Sequence, residues 1–341
     1  MPTCSLPSSA LACMQTGVRN LVYLRQARDV FFFDVHVKRR AKHASYPTMS
    51  RIADLLVIAA SDDDFPVKEF ENGEMTYIFK EVIKDLNDQT VTILLESSNQ
   101  NVTNTSYVSH KKRTRRDFDR VGDEGGSHSA HIVISLTPES TGDNVYMCLM
   151  EKVPDFSEHR VRSILNTAIR LLCKETDYFV YANVGGSKKK TAFVPYLDFQ
   201  GHASEALQED LENGRINSLT LVDPDTDKVL GQGKFFSGVE KNMKVKMIRQ
   251  PSKGQMLSTI MAVARSQAKD YSRIRISFQP EDGGPSTHVD LDATTGNLVS
   301  DGYVKTRHFG GIYPPITTSA VDRVVPHLIS RMKHVLLKER S

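Results

Sequence analysis

The chain has 341 residues, 39% of them hydrophobic and 25% charged, proportions that support a buried core and exclude a disordered polymer. A mean hydropathy of −0.35, with no apolar run near the roughly 20 residues of a membrane span, excludes a bundle of membrane helices. The formal net charge is only +3, but it is unevenly spread. Asp54 to Gln89 carries 10 acidic and 3 basic residues, and Tyr196 to Lys228 carries 8 and 2. The balance then reverses, with 10 basic and 2 acidic residues from Lys234 to Arg275 and 7 and 2 from Gly302 to Ser341. Such segregation points to a polyanionic partner, unless the segments neutralise each other within the fold.

Met1 to Asn20 has no charge before Arg19 and no secretory pattern, so residues 1–28 are expected to be a disordered leader or to follow a start codon placed too far upstream. The four cysteines form no CxxC pair, and Cys148 and Cys173 sit in apolar runs. Free buried thiols in a reducing, cytoplasmic setting account for both.

Val30 to Val37 reads as a strand buried at its start, followed by the basic stretch Lys38-Arg39-Arg40-Ala41-Lys42-His43. Met49 to Ala60 has helical spacing at Ile52, Leu55, Leu56 and Ile58. Thr76 to Phe79 and Thr90 to Leu95 read as strands, with Lys80 to Leu86 ambiguous between them. Ser97 to Gly126 is polar, contains Lys111-Lys112-Arg113-Thr114-Arg115-Arg116 and is too long for an ordinary connection. It is expected to be a linker, a mobile functional loop, or both. His131 to Leu136 and Asn144 to Lys152 read as a hairpin, and Ser157 to Leu172 as a helix capped by Ser157. Ala192 to Phe199 and Ile216 to Val222 read as strands, His202 to Asn213 as an acidic helix, Asp223-Pro224-Asp225 as a turn and Leu230 to Phe236 as a returning strand.

Met243 to Arg249 alternates apolar and basic residues like a half-exposed strand, and Lys253 to Lys269 follows as a helix. Arg273 to Phe278, His288 to Asp292 and Leu298 to Arg307 read as further strands. Ser319 to Glu339 is a terminal amphipathic helix in which Pro326 enforces a kink or a late start. Arg323, His327, Arg331, His334 and Lys338 fall in one basic stripe on it. Together these elements make an α+β protein of two mixed or antiparallel sheet domains with packed helices: residues 29–97, a basic linker at 98–127, and residues 128–341.

Catalytic motifs are weak. Gly185-Gly186-Ser187-Lys188-Lys189 lacks the spacing of a phosphate loop, and neither a nucleophile elbow nor a zinc-protease helix motif occurs. Asp117, Asp119, Asp123, Glu124, His128 and His131 could bind a metal, which makes a nuclease using Asp123 to His131 the runner-up. A satisfied histidine at a strand start is the plainer account of His131. The expectation is therefore a binding protein, not an enzyme, with no cofactor and no metal. Lys241, Lys244, Lys246, Arg249 and Lys253 could track a phosphate backbone, joined by Arg265, Lys269, Arg323, Arg331 and Lys338. Sparse aromatics between Lys241 and Arg275 favour duplex DNA over single-strand stacking. A module using this basic face to meet an acidic protein or an anionic membrane is the third alternative, and Lys111 to Arg116 is expected only to assist.

From about His131 onward, the order of elements resembles the RexA family of lambdoid phage-exclusion proteins. The likeness rests on the strand pair and helix of His131 to Leu172, the strand ending in Gln200-Gly201 and the one starting at Ile216. It continues through the basic strand and helix from Lys244 to Ala264, Glu281-Asp282-Gly283, the turn Thr295-Gly296-Asn297-Leu298 and the terminal helix. The resemblance implies a nonspecific, homodimeric double-stranded-DNA-binding protein that senses phage infection and signals to a small membrane partner encoded nearby. Its DNA contacts carry over onto Lys244, Lys246, Arg249 and Lys253.

Overall fold

A computed structural model describes residues 26–41, 43–62, 65, 68–176, 178–182, 190–225, 239–248, 251–252, 254–280, 285–299 and 302–339. In chain order the elements are β1 (Ala27–Arg39), α1 (Met49–Ser61), β2 (Lys68–Phe70), β3 (Met75–Asp85), β4 (Thr90–Asn99), β5 (Thr105–Ser109), β6 (Thr114–Phe118), β7 (Gly126–Ser135) and β8 (Val145–Glu151). There follow α2 (Glu158–Thr176), β9 (Val180–Ala182), β10 (Lys190–Ala192), β11 (Pro195–Gly201), α3 (Glu205–Asn213), β12 (Arg215–Asp225), β13 (Val239–Val245), α4 (Met256–Ser266), β14 (Arg273–Gln279), β15 (Thr287–Asp292), β16 (Thr306–Gly310) and α5 (Pro326–Glu339). The α+β class read from the sequence is what forms. No helix among the described residues is long and apolar enough to cross a membrane.

The main sheet has the order β11-β1-β8-β7-β4-β3-β2, all neighbours antiparallel. β1 is its axis. One edge of β1 pairs with β8, while the other pairs with β16 along Ala27 to Phe31 and with β11 along Phe33 to Arg39. Because both faces are covered, the strand reads as a continuous apolar run, without alternation. Phe33, Val35 and Val37 meet the layer containing α1 and α2, whereas Val30 and Phe32 meet α5. The α2 cap expected from sequence forms, with Ser157 Oγ accepting from Arg160 N at 3.3 Å; α1 is capped by Thr48, whose Oγ1 accepts from Arg51 N at 3.4 Å.

A second antiparallel sheet, β13-β12-β14-β15, joins the first where Leu298 bridges both Gly201 and Leu291. Bridged residues share a face, so the two sheets run on as one surface. Its apolar side carries Leu219, Leu221, Ile274 and Ile276, and α3 and α4 complete it with Leu207, Leu211, Ile260 and Ala264.

The expected division at 98–127 is not a division between sheets. β4 pairs with β7 at ten positions and β1 with β8, so residues 29–97 share one sheet with the chain that follows. The expected leader also ends early, since Ala27 and Arg28 already belong to β1; residues 1–25 lie outside the described set. Lys80 to Asp85 continues β3. β12 runs through Asp223-Pro224-Asp225 instead of turning there, paired to β13. α3 starts at Glu205 behind its cap Ser204, and among the described residues between Leu298 and Arg307 the ladder consists of bridges at Leu298 and Val304 and the start of β16. Pro326 delays the last helix, occupying its first position, where the missing N–H costs nothing. Leu230 to Phe236 lies outside the described residues.

Cys148 and Cys173 are buried free thiols, and burial pushes Cys173 up to about 11.

Candidate nucleic-acid interface

The basic residues singled out in the C-terminal third do not gather on one face. Strand alternation separates them first. Lys241 lies on the side of Met243 and Val245, its ammonium 4.5 Å from the Tyr271 ring centroid. Lys244 points to the other side, in register with Thr220 and, across it, Arg275. Arg275 is already committed to Asp290 through two hydrogen bonds of 2.8 and 2.9 Å. Lys244 and Lys246 do come together, lining a groove of about 500 Å³ with Ser218 and Met247. Arg265 projects from α4 and donates to the Thr294 carbonyl at 3.1 Å, and Lys269 is exposed beyond that helix. Arg323 precedes α5. Arg331 donates to the Gly310 carbonyl and lies 5.0 Å from the Phe309 ring, and Lys338 is exposed in the last turn. Arg249 and Lys253 lie outside the described residues.

The acidic group considered for a metal is not gathered either. His131 is buried beneath the approach to α5, with Nδ1 2.7 Å from Glu151 and Nε2 accepting from Val325 N at 3.1 Å. The second oxygen of Glu151 meets Arg28 at 2.7 Å, so this carboxylate is compensated inside the protein. His128 sits 2.9 Å from Asp155, Asp117 bonds to Arg115, and Asp119 accepts from Asn104.

The segment expected to be a linker has a definite form. β5 and β6 pair with each other alone, making a two-stranded ribbon that stands off the main sheet between β4 and β7. Its base is pinned. Asn104 donates to Asp119 at 3.0 Å, Arg120 donates to the Asn104 side chain at 3.0 Å and to the Gln100 carbonyl at 2.8 Å, and Gln100 donates to the Asp123 carbonyl at 2.9 Å. Gly125 marks the return to the sheet: a Cβ there would lie 2.6 Å from Asn99 N, so no larger residue fits. Such clamping matters because an isolated hairpin is marginal in water.

Every residue from 110 to 119 on this arm is exposed. The tip is His110-Lys111-Lys112-Arg113, with Arg115 and Arg116 following on β6. The two faces differ. On one, Ser106 and Arg115 hydrogen-bond Asp117; Arg115 first and then Ser106 hold its carboxyl below the usual range, and it cancels the nearby charge. On the other, Arg116 lies 4.5 Å from the Phe118 ring, which meets Tyr107 edge-on at 5.5 Å. That face presents a cation and two exposed aromatic rings with no anion among them. The charge run was visible in the sequence; its presentation on a ribbon was not, because neither strand buries a face and so neither shows apolar alternation.

A second basic surface was missed. His159, Arg162, Ser163, Asn166, Thr167, Arg170 and Lys174 recur at helical spacing on α2 and, with Arg40, Lys68 and Tyr196, line a groove of about 700 Å³ that has no acidic lining residue. The polar stripe of α2 was legible beside its apolar one. Asn166 holds α2 along the edge of β11, donating to the Leu197 carbonyl at 2.8 Å and accepting from its N–H at 2.7 Å. Arg162 turns to Asp198 at 3.1 Å, and Lys38 meets the same carboxylate at 2.6 Å.

No protein-family model matches this chain, and no curated protein matches it.

Proposed function

We propose that this protein binds duplex DNA without base readout, through the β5–β6 arm. The observation that carries the reading is the arm itself. Five cations between Lys111 and Arg116, with no acidic residue among them, are displayed on an exposed antiparallel ribbon. A two-stranded ribbon fits the major groove, about 12 Å wide, and lysine and arginine on it neutralise the phosphates on either side. Tyr107 and Phe118 give the arm apolar surface for contact with the sugars. Lys244 and Lys246, on a different sheet, are a secondary contact in this reading.

Fluorescence anisotropy with a labelled duplex of arbitrary sequence tests it. The wild-type protein is expected to bind at sub-micromolar to micromolar concentration and to lose affinity steeply with added salt. Combined Lys111→Ala, Lys112→Ala and Arg113→Ala should weaken binding at least tenfold; unchanged affinity would remove the arm from the interface. The setting that the RexA resemblance implies belongs to the same proposal: a homodimer acting in phage exclusion with a small membrane partner. It is supported by the order of elements from His131 onward. A gene for a small multi-span membrane protein next door would strengthen it, and an unrelated neighbourhood would remove the setting while leaving DNA binding to its own test.

A further inference from the structure

The geometry points to a metal site that no sequence motif announced: we infer that Asp34, Glu139 and His202 bind one divalent ion of the zinc or manganese class. The three residues come from distant parts of the chain. Asp34 lies in the middle of β1, Glu139 in the turn between β7 and β8, and His202 directly after β11. One candidate ligand atom from each lies within 4.8 Å of the others. A tetrahedral ion with bonds of about 2.0–2.2 Å needs its ligand atoms about 3.4 Å apart. His202 Nε2 and Asp34 Oδ1, now hydrogen-bonded at 2.6 Å, must open to that spacing as the ion replaces the shared proton, while Glu139, exposed in its turn, moves in.

The site is built around Asp34. On the same face of β1, Val30 and Phe32 lie under α5, but this cover does not extend to Asp34. Polar groups take its place. His202 Nε2 approaches Asp34 Oδ1 to 2.6 Å, and Asn297 donates to Oδ2 at 2.6 Å, fixing the carboxylate's orientation as a second layer of hydrogen bonds does around bound metals. Two carboxylates converging beside an imidazole are an arrangement that a divalent cation relieves.

An independent observation comes from His36, two residues along β1 on the face of Asp34. It is only 9% exposed, and its Nε2 has no hydrogen-bond partner among the described residues. A buried imidazole nitrogen without a partner is costly. With three protein ligands, the ion keeps an open position for water. The imidazole ligand favours zinc over magnesium and calcium, which prefer all-oxygen shells, and the two carboxylates also admit manganese. Elsewhere, His308 and Asp29 also pair, at 2.8 Å, but they are exposed and belong to no such group among the described residues, which makes them the control.

The test is isothermal titration of the chelator-treated, full-length protein with ZnCl2 and with MnCl2. One equivalent of at least one ion is expected to bind at micromolar concentration or below. Glu139→Gln, an exposed turn substitution that leaves the core intact, should weaken it at least tenfold; Asp34→Asn should abolish it, with circular dichroism confirming the fold. Asp29→Asn should leave it unchanged. Absence of saturable binding to the wild-type protein would overturn the site. So would affinity within twofold of wild type in both Glu139→Gln and His202→Gln, or an equal loss in Asp29→Asn.

Discussion

The β5–β6 arm and the α2 groove are both rich in cations, yet they differ in shape. The arm is convex. Its cations stand on a ribbon that pairs only with itself, reachable from several sides. The groove is concave and brings Arg162, Arg170 and Lys174 of α2 together with Arg40 and Lys68 from other parts of the chain around about 700 Å³. One of its cations is already spent, since Arg162 is shared between Asp198 at 3.1 Å and Glu158 at 3.3 Å. A rod-like polyanion can meet many charges at once only on a surface that projects, whereas a recess suits a compact anion. Shape, more than the number of charges, separates the two.

The contrast can be broken in order of expected effect. Removing Lys111, Lys112 and Arg113 should cost the largest factor in duplex affinity, while denaturant unfolding moves by less than about 0.5 kcal/mol, because exposed side chains away from the core contribute little to stability. Tyr107→Ala with Phe118→Ala should cost less, about three- to tenfold in the same anisotropy assay, through lost contact area on one face of the arm. Asp198→Asn acts on the other region. It releases Lys38 and Arg162 and should raise the groove's affinity for inorganic phosphate several-fold by calorimetry, with duplex binding unmoved. Arg170→Glu with Lys174→Glu should abolish that phosphate binding yet change duplex affinity by less than threefold.

Acid should act on the root of the arm. Asp155 is held below its ordinary value, first by the hydrogen bond from His128 and despite partial burial, and it also accepts from Asn99 at the end of β4. A depressed carboxylate contributes stability that is present above its unfolded value, near pH 4, and lost as pH falls through the folded value. Hydrogen exchange should therefore show amides around Asn99 and His128 losing protection below pH 4 ahead of those in β1. Asp155→Asn should erase that difference.

Much of the fold was legible where burial imposes a pattern. The apolar run from Val30 to Val37, the stripe of α2 and the cap Ser157 all follow from local rules. The domain boundary was not legible, because the pairing of β4 with β7 spans a long polar insertion that looks like a linker. Asp223-Pro224-Asp225 has turn chemistry but runs on as strand, since its pairing with β13 outweighs local preference. The opposite orientations of Lys241 and Lys244 were available from the two-residue period of a strand and were overlooked. The group around Asp34 left one trace, an Asp, a His and a Lys alternating with Phe33, Val35 and Val37. What converges on Asp34 comes from two loops and a strand end more than 100 residues away, and only tertiary structure brings them there.

The most direct test is the salt dependence of duplex affinity, compared between the arm and groove variants. Each phosphate neutralised contributes about 0.9 to the slope of log affinity against log salt. The Lys111, Lys112 and Arg113 triple variant should flatten the wild-type slope by about 2 to 3, and the Arg170 and Lys174 variant by less than about 0.5. Equal slopes in the wild-type protein and the arm variant, or a flattening confined to the groove variant, would contradict the account.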